Sequence, residues 1–190
     1  MGWHGGSGAG SVARMISRTS SIASLALAGI TTAWIAGAAS GSAPEHAAVK
    51  RITGAGVGQV KLGMTHSQLR AQGLVGRLGP GCELGGPDTR AAKLKAPLQG
   101  FVTYTLTAPR KVTDITIRGG AKARGVGVGS TIAQIKAKFP RARVTHATDE
   151  VFGITLVRIP RDGGGKFQFG VDVDTGKTTV IGIPRIGFCE

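Results

Sequence analysis

Large aromatic residues are scarce in this 190-residue chain. Its two tryptophans, Trp3 and Trp34, sit near the N-terminus, and its single tyrosine is Tyr104. A platform of stacked rings for sugars or nucleic-acid bases therefore has almost nothing to be built from. Histidine is equally thin, with His4, His46, His66 and His146. A hydrolytic triad needs a nucleophile, a base and an orienting acid within reach of each other. His66 has Ser67 beside it, but adjacent residues of a helix do not face one another. His146 lies near Asp149 and Glu150, short of the three or four ligands that a metal centre takes. The run Asp172-Val-Asp174-Thr-Gly176 lacks the twelfth-position acid of an EF-hand loop and reads as a hairpin turn. Gly125-Val-Gly127-Val-Gly129 lacks the G-K-[ST] ending of a phosphate-cradling loop, so no nucleotide is expected. No catalytic residue, metal ligand or cofactor is assigned, and the chain is expected not to be an enzyme.

Charge is missing altogether between Thr19 and Pro44, and the apolar heart of that stretch is 22–36 (IASLALAGITTAWIA). Arg14 and Arg18 precede it, and the small residues Ala36, Gly37, Ala38 and Ala39 follow. A positive flank, a short apolar run and a small-residue exit together make a secretory signal peptide, cleaved after Ala38. The apolar run is shorter than the ~20 residues of a spanning helix. An uncleaved anchor is the competing reading, and membrane contact would then be through this segment alone. Met15-Ile16-Ser17-Arg18 makes a compact start to the signal, so Met15 is an expected alternative start of translation. The chain is thus divided into a signal at 1–38, a linker at 39–48, and a fold beginning near Val49, secreted or held at the cell envelope.

Acidic residues are also few: 10 Asp and Glu against 24 Lys and Arg, a formal net charge of +14. Between Arg90 and Arg143 a single acid, Asp114, faces 12 basic residues, whereas 144–190 holds five basic and six acidic ones. Such asymmetry makes a positive face that attracts acidic partners or anionic polymers. The plainer role of the same charge is to keep the surface solvated. The candidate contact surface is Arg90, Lys93, Lys95, Arg110, Lys111, Lys122, Arg124 and Lys136. Its expected partner is a protein or an anionic cell-envelope polymer; nucleic acid is not expected. Only two cysteines are present, Cys82 and Cys189, both beyond the signal. In an exported chain an even count favours a disulfide over free thiols. Such a bond closes a loop of over a hundred residues, worth up to ~5 kcal/mol in the chain-entropy account. Two unrelated buried thiols are the alternative.

An internal repeat organises the remainder. Val60-Lys-Leu-Gly63-Met64-Thr65-His-Ser-Gln68-Leu-Arg-Ala71 aligns with Val126-Gly-Val-Gly129-Ser-Thr131-Ile-Ala-Gln134-Ile-Lys-Ala137 at an offset of 66 positions. The same offset sets Lys111 against Lys177 and Ile115 against Ile181. Repeat 1 is taken as 49–119 and repeat 2 as 120–190, the two forming one domain. Both Thr65-x-x-Gln68 and Thr131-x-x-Gln134 are capping boxes, so each opens a short helix. Met64 and Leu69 occupy the two positions of a hydrophobic staple. Gly63 and Gly129, just ahead of the caps, suit a sharp turn with positive φ. The first helix is expected to stop near Gly73 and the second before Pro140. Alternating Val, Ile and Thr predict hairpins over 101–117 and 167–183. An additional strand is expected over 151–159 in the second copy, against a loop at 78–87 in the first. The fold class is therefore α+β: a tandem repeat of short helix and antiparallel strands, making one sheet with the helices on one face.

The opening Gly63-Met64-Thr65-x-x-Gln68-Leu69 resembles the G-M-T-x-x-Q-[VL] signature of small sheet-on-helix domains. These are the outer-membrane-assembly lipoproteins and the β-lactamase-inhibitor-protein-like domains, the latter tandem repeats secreted by actinobacteria. The resemblance spans roughly 50–190. It implies a non-enzymatic binding domain, and, as an alternative, a secreted inhibitor of a hydrolase in which Phe101, Tyr104 and the 79–90 loop make the contact.

Overall fold

A computed structural model describes residues 49–188. The expected signal segment with its Met15 start, the linker and Cys189 lie outside the described residues. In chain order, β1 (Lys50–Thr53), β2 (Gly56–Val57) and β3 (Val60–Lys61) precede helix α1 (His66–Ala71). Next come β4 (Val75–Pro80), β5 (Arg90–Leu94), β6 (Gln99–Tyr104) and β7 (Val112–Gly119). Then β8 (Ala121–Ala123) and β9 (Val126–Gly127) lead to α2 (Ile132–Lys138) and β10 (Arg143–Thr145). A one-turn helix α3 (Asp149–Phe152) and the long strands β11 (Ile154–Asp162), β12 (Gly165–Asp172) and β13 (Thr178–Ile183) close the fold.

The structure is mostly β, and it corrects the expectation of one sheet. The strands form two: an eight-stranded antiparallel sheet in the order β10-β11-β12-β13-β7-β6-β5-β4, and a small one, β3-β2-β1-β8-β9. The small sheet was not legible because its strands, two to four residues long, are too short to show a period. The expected loop at 78–87 is also corrected. Its first part continues β4, paired through Leu78↔Ala92, Gly79↔Ala91 and Pro80↔Arg90. Gly and Pro weaken the local strand signal there, and cross-strand pairing overrides it. The expected strand at 151–159 starts late, because Val151 and Phe152 are wound into α3, which Gly153 ends in the left-handed conformation at φ 62°. Each half of the chain thus supplies four strands to the large sheet.

Both helix starts are as read from the sequence. The Thr65 hydroxyl accepts from the Gln68 amide while Gln68 Oε1 accepts from Thr65 N–H at 2.8 Å. Thr131 and Gln134 repeat the arrangement at 2.9 Å. Gly63 and Gly129 have φ of 81° and 87°, as the turn into each cap requires. Leu69 of α1 and Ile135 of α2 are fully buried in the main core. That core also takes Ile52, Val57, Val60, Ala121 and Ala123 from the small sheet. From the large sheet it takes one side of the alternation: Val102 and Tyr104, Ile115 and Ile117, Val157 and Ile159, Phe167 and Phe169, Ile181 and Ile183. Side chains between these positions point to the other face, called the outer face below. No helix among the described residues is long and apolar enough to cross a membrane.

Candidate functional site

The outer face of the large sheet is built by register. Phe101 on β6 stands between Lys93 on β5 and Thr116 on β7, its direct cross-strand partners. On the edge strand a bulge sets two residues, Gly76 and Arg77, against the single Lys93 of β5, which brings a second cation beside the first. Arg118 follows two positions after Thr116 on the same face of β7. A cavity of about 640 Å³ runs over Gly76, Gly79, Arg77, Lys93 and Phe101 to Cys82. Gly76, Gly79 and Gly81 contribute only backbone to its lining. A second cavity, of about 500 Å³, continues past Phe101 over Thr116 and Arg118 to Phe152 and Phe188. Phe101 lines both, so the two cavities flank one aromatic ring on the same face of the sheet and are together called the groove below.

The C-terminal segment makes one wall. After β13 the chain folds back over the outer face, and Ile186 is buried against Leu156 and Val180. The Ile186 amide donates to Gln168 Oε1 at 3.2 Å, and Arg185 Nε reaches Asp114 Oδ1 at 3.3 Å. Gly182 lies directly beneath this segment: a Cβ there would sit 2.2 Å from the Arg185 carbonyl oxygen, so only glycine lets the chain approach so closely. Phe188 stacks on Phe152 with centroids 4.2 Å apart and planes 11° from parallel. Cys82 Sγ lies 3.7 Å from the Phe188 carbonyl oxygen, and Cys82 is not a free thiol.

The Phe152 side of the groove is anchored by a small polar cluster. Asp149 receives His146 Nδ1 at 2.7 Å and the Thr155 hydroxyl at 2.9 Å. Partial burial pushes the Asp149 carboxyl up, but the hydrogen bonds from His146 and Thr155 and the charge of His146 together outweigh it, holding the pKa below the usual carboxylate range. A carboxyl whose folded pKa is depressed stabilises the fold above its unfolded pKa, about 4, and loses that contribution as pH falls toward the folded value. Thermal melts from neutral to acid pH are therefore expected to fall less steeply for Asp149→Asn than for the native chain. Identical slopes would remove this cluster from the acid response.

The expected contact residues are spread over several elements. Lys93 lines the groove, with Arg90 at the start of the same strand and Lys95 in the turn after it. Arg110 and Lys111 lie in the β6–β7 turn, where Arg110 Nη1 donates to the Thr105 carbonyl at 3.1 Å. Lys122 is on β8, Arg124 in the β8–β9 turn and Lys136 on the exposed side of α2. Phe101, named for the alternative contact, faces the groove. Tyr104 does not, which is a correction: three positions on, it falls on the core side, 2% exposed. Burial pushes its phenol up to about 12, and its hydroxyl has no hydrogen-bond partner among the described residues. Arg118 was open to detection from the alternation of Ile115 and Ile117; Arg77 was not, because a bulge decides where it points.

His66 and Asp172 are both held in local structure. His66 Nε2 is 3.2 Å from the Gly76 carbonyl oxygen, with its ring edge-on to Tyr104 at 5.6 Å. Asp172 Oδ1 accepts from both the amide and the hydroxyl of Thr175, the hairpin turn expected for that run, and these bonds hold its pKa below the usual value. Among the described residues no three of His, Cys, Asp and Glu gather as a metal site would require. No family model, curated protein or solved structure matches this chain.

Proposed function

We propose that this chain is an exported, non-enzymatic binding protein that takes a protein partner on the outer face of its eight-stranded sheet. The observation that carries this reading is the groove centred on Phe101, with Arg77, Lys93 and Arg118 around it. An apolar anchor ringed by cations suits a partner that offers an apolar side chain flanked by carboxylates. None of the three cations is in an ion pair within the described residues, so their charge is free to steer association.

Two features of the architecture support the tandem construction resembling the β-lactamase-inhibitor-like domains. Every large-sheet strand of one half lies about 66 positions from a strand of the other. The halves also meet at β7 and β13 through Ile117↔Ile181, Thr116↔Gly182 and Ile115↔Ile183. Thr116 and Gly182 are themselves 66 apart, so a two-fold relation would pass through that pair and exchange the isoleucines around it. Leu69 and Ile135 would then be the equivalent contacts by which each helix covers the core face. The nearness of Cys82 to Phe188, the residue before Cys189, supports a Cys82–Cys189 disulfide that straps the C-terminal segment to the groove rim.

With the full exported chain as bait, Phe101→Ala is expected to lower retention of an envelope or secreted protein by tenfold or more, the scale of a central anchor. Arg77→Gln/Lys93→Gln is expected to weaken it most at low salt. Arg110→Gln/Lys111→Gln, outside the groove, should leave it unchanged. Retention indifferent to Phe101 would sink the reading. A second reading, inhibition of a secreted hydrolase, is favoured by Leu84, 74% exposed in the short turn Glu83–Gly85 at the groove rim. It requires an inhibited hydrolase whose activity returns with Leu84→Ala.

A further inference from the structure

We propose that Arg124, Arg141 and Arg161 form a binding site for a phosphate group, separate from the sheet-face groove. They line a pocket of about 290 Å³ with Phe139, Pro140 and Ile159, where the end of α2 meets the end of β11. The first observation is the backbone of Arg124. Its φ of 49° makes it the one non-glycine residue with positive φ among those described. Sixty-six positions earlier stands Gly58, with a φ of 53°. The turn thus calls for the left-handed conformation at both places, and glycine meets it without strain in one. Placing arginine in the other is unfavourable for the backbone alone, and such strain collects where a side chain is needed for function.

The second observation is how firmly that side chain is held. Arg124 Nη2 donates to Asp162 Oδ1 at 2.6 Å, and the Asp162 side chain is only 9% exposed. The guanidinium also lies over the Phe139 ring, 4.9 Å from its centroid. Nη1 and Nε make no hydrogen bond within the described residues, so one edge of a pre-aimed fork is left for a ligand. Arg141 and Arg161 are exposed and form no ion pair or hydrogen bond with any described residue. Three guanidiniums and one carboxylate leave two positive charges, which matches a dianionic phosphate monoester. Planar arginine forks meet phosphate oxygens two at a time.

The first half supplies an internal comparison. The pocket at the corresponding place is lined by Gly58, Gly73, Leu74 and Lys95, which stand where the second half has Arg124, Phe139, Pro140 and Arg161. Val75, opposite Arg141, is buried in the core. Neither the fork nor its ring is present there, so the arginines are an acquisition of one half and not a requirement of the fold.

The test is titration of the full exported chain with inorganic phosphate at low salt, followed by calorimetry and by amide shifts. One saturable site with Kd near ~1 mM or tighter is expected. The Arg141→Gln/Arg161→Gln variant should bind at least tenfold more weakly while melting at the native temperature, since neither side chain has a partner to lose. Arg77→Gln/Lys93→Gln should bind phosphate normally, which separates this site from the groove. Absence of saturation, binding unaffected by the Arg141/Arg161 changes, or acetate binding as tightly as phosphate would each overturn the proposal. Vesicles of phosphatidic acid, compared with phosphatidylcholine, then decide the source. Recruitment lost in the double variant assigns a lipid headgroup, and phosphate binding without recruitment assigns a soluble phosphate.

Discussion

Replacing Cys82 by serine is expected to lower the melting temperature by about 10 °C and to release the C-terminal segment from the sheet. The proposed Cys82–Cys189 disulfide would close a loop of over a hundred residues and contribute about 4–5 kcal/mol through the unfolded state. In a domain of this size each kcal/mol shifts the midpoint by roughly 2–4 °C. Apart from the Ile186 amide on Gln168 and the exposed Arg185–Asp114 pair, the segment after β13 is held by two apolar contacts. Burial of Ile186 contributes about 2 kcal/mol, and the Phe152–Phe188 stack about 1 kcal/mol. Ordering five residues costs about 1–2 kcal/mol each. Without the covalent bond the balance turns against the folded-back position. Circular dichroism melts with and without reductant measure the first effect, and hydrogen exchange at the Ile186 amide measures the second. A native chain that melts within about two degrees of its reduced form would remove the bond from the account. Because Phe188 is a wall of the groove, partner binding should fall along with the exchange protection.

The second large effect is expected in the core. Phe167→Ala should destabilise the chain by about 3–5 kcal/mol, the usual cost of emptying a fully buried aromatic site. Phe167 has no exposed surface. Its ring meets Phe139 at 5.6 Å and Phe169 at 5.5 Å, both edge-to-face, and each such pair adds roughly 0.5–1.5 kcal/mol beyond the area buried. These three rings pack together in the core of the second half. Urea denaturation reads the change as a lower midpoint at an unchanged slope. Val151→Ala, at a side chain 71% exposed, provides the contrast and should cost under about 1 kcal/mol. A Phe167→Ala loss as small as that would contradict the packing described. The same substitution loosens Phe139, the platform beneath Arg124, so phosphate binding should weaken even in the fraction that stays folded.

What was legible in the sequence is what neighbours in the chain decide among themselves. The T-x-x-Q boxes at Thr65 and Thr131 join groups three residues apart, and Gly63 and Gly129 satisfy a turn one residue before each helix. The alternation in 112–117 and 178–183 announced strands, because a half-buried sheet imposes a period of two wherever it lies. The basic excess between Arg90 and Arg143 was countable, but a count has no direction. Lys93, Arg110, Lys122 and Lys136 were read as one surface and stand on separate parts of the fold.

The groove belongs to the tertiary structure. Phe101 meets Lys93 and Thr116 through pairing register, Arg77 joins them through a bulge, and Gly182 admits a returning chain that leads back toward Cys82, a hundred residues away. The second sheet and the core-side position of Tyr104 were settled in the same way. Period and caps arise from residues within one turn or one strand. Register, bulges and the placing of Arg124 over Phe139 depend on which distant segments pair, and that is decided only when the whole core closes.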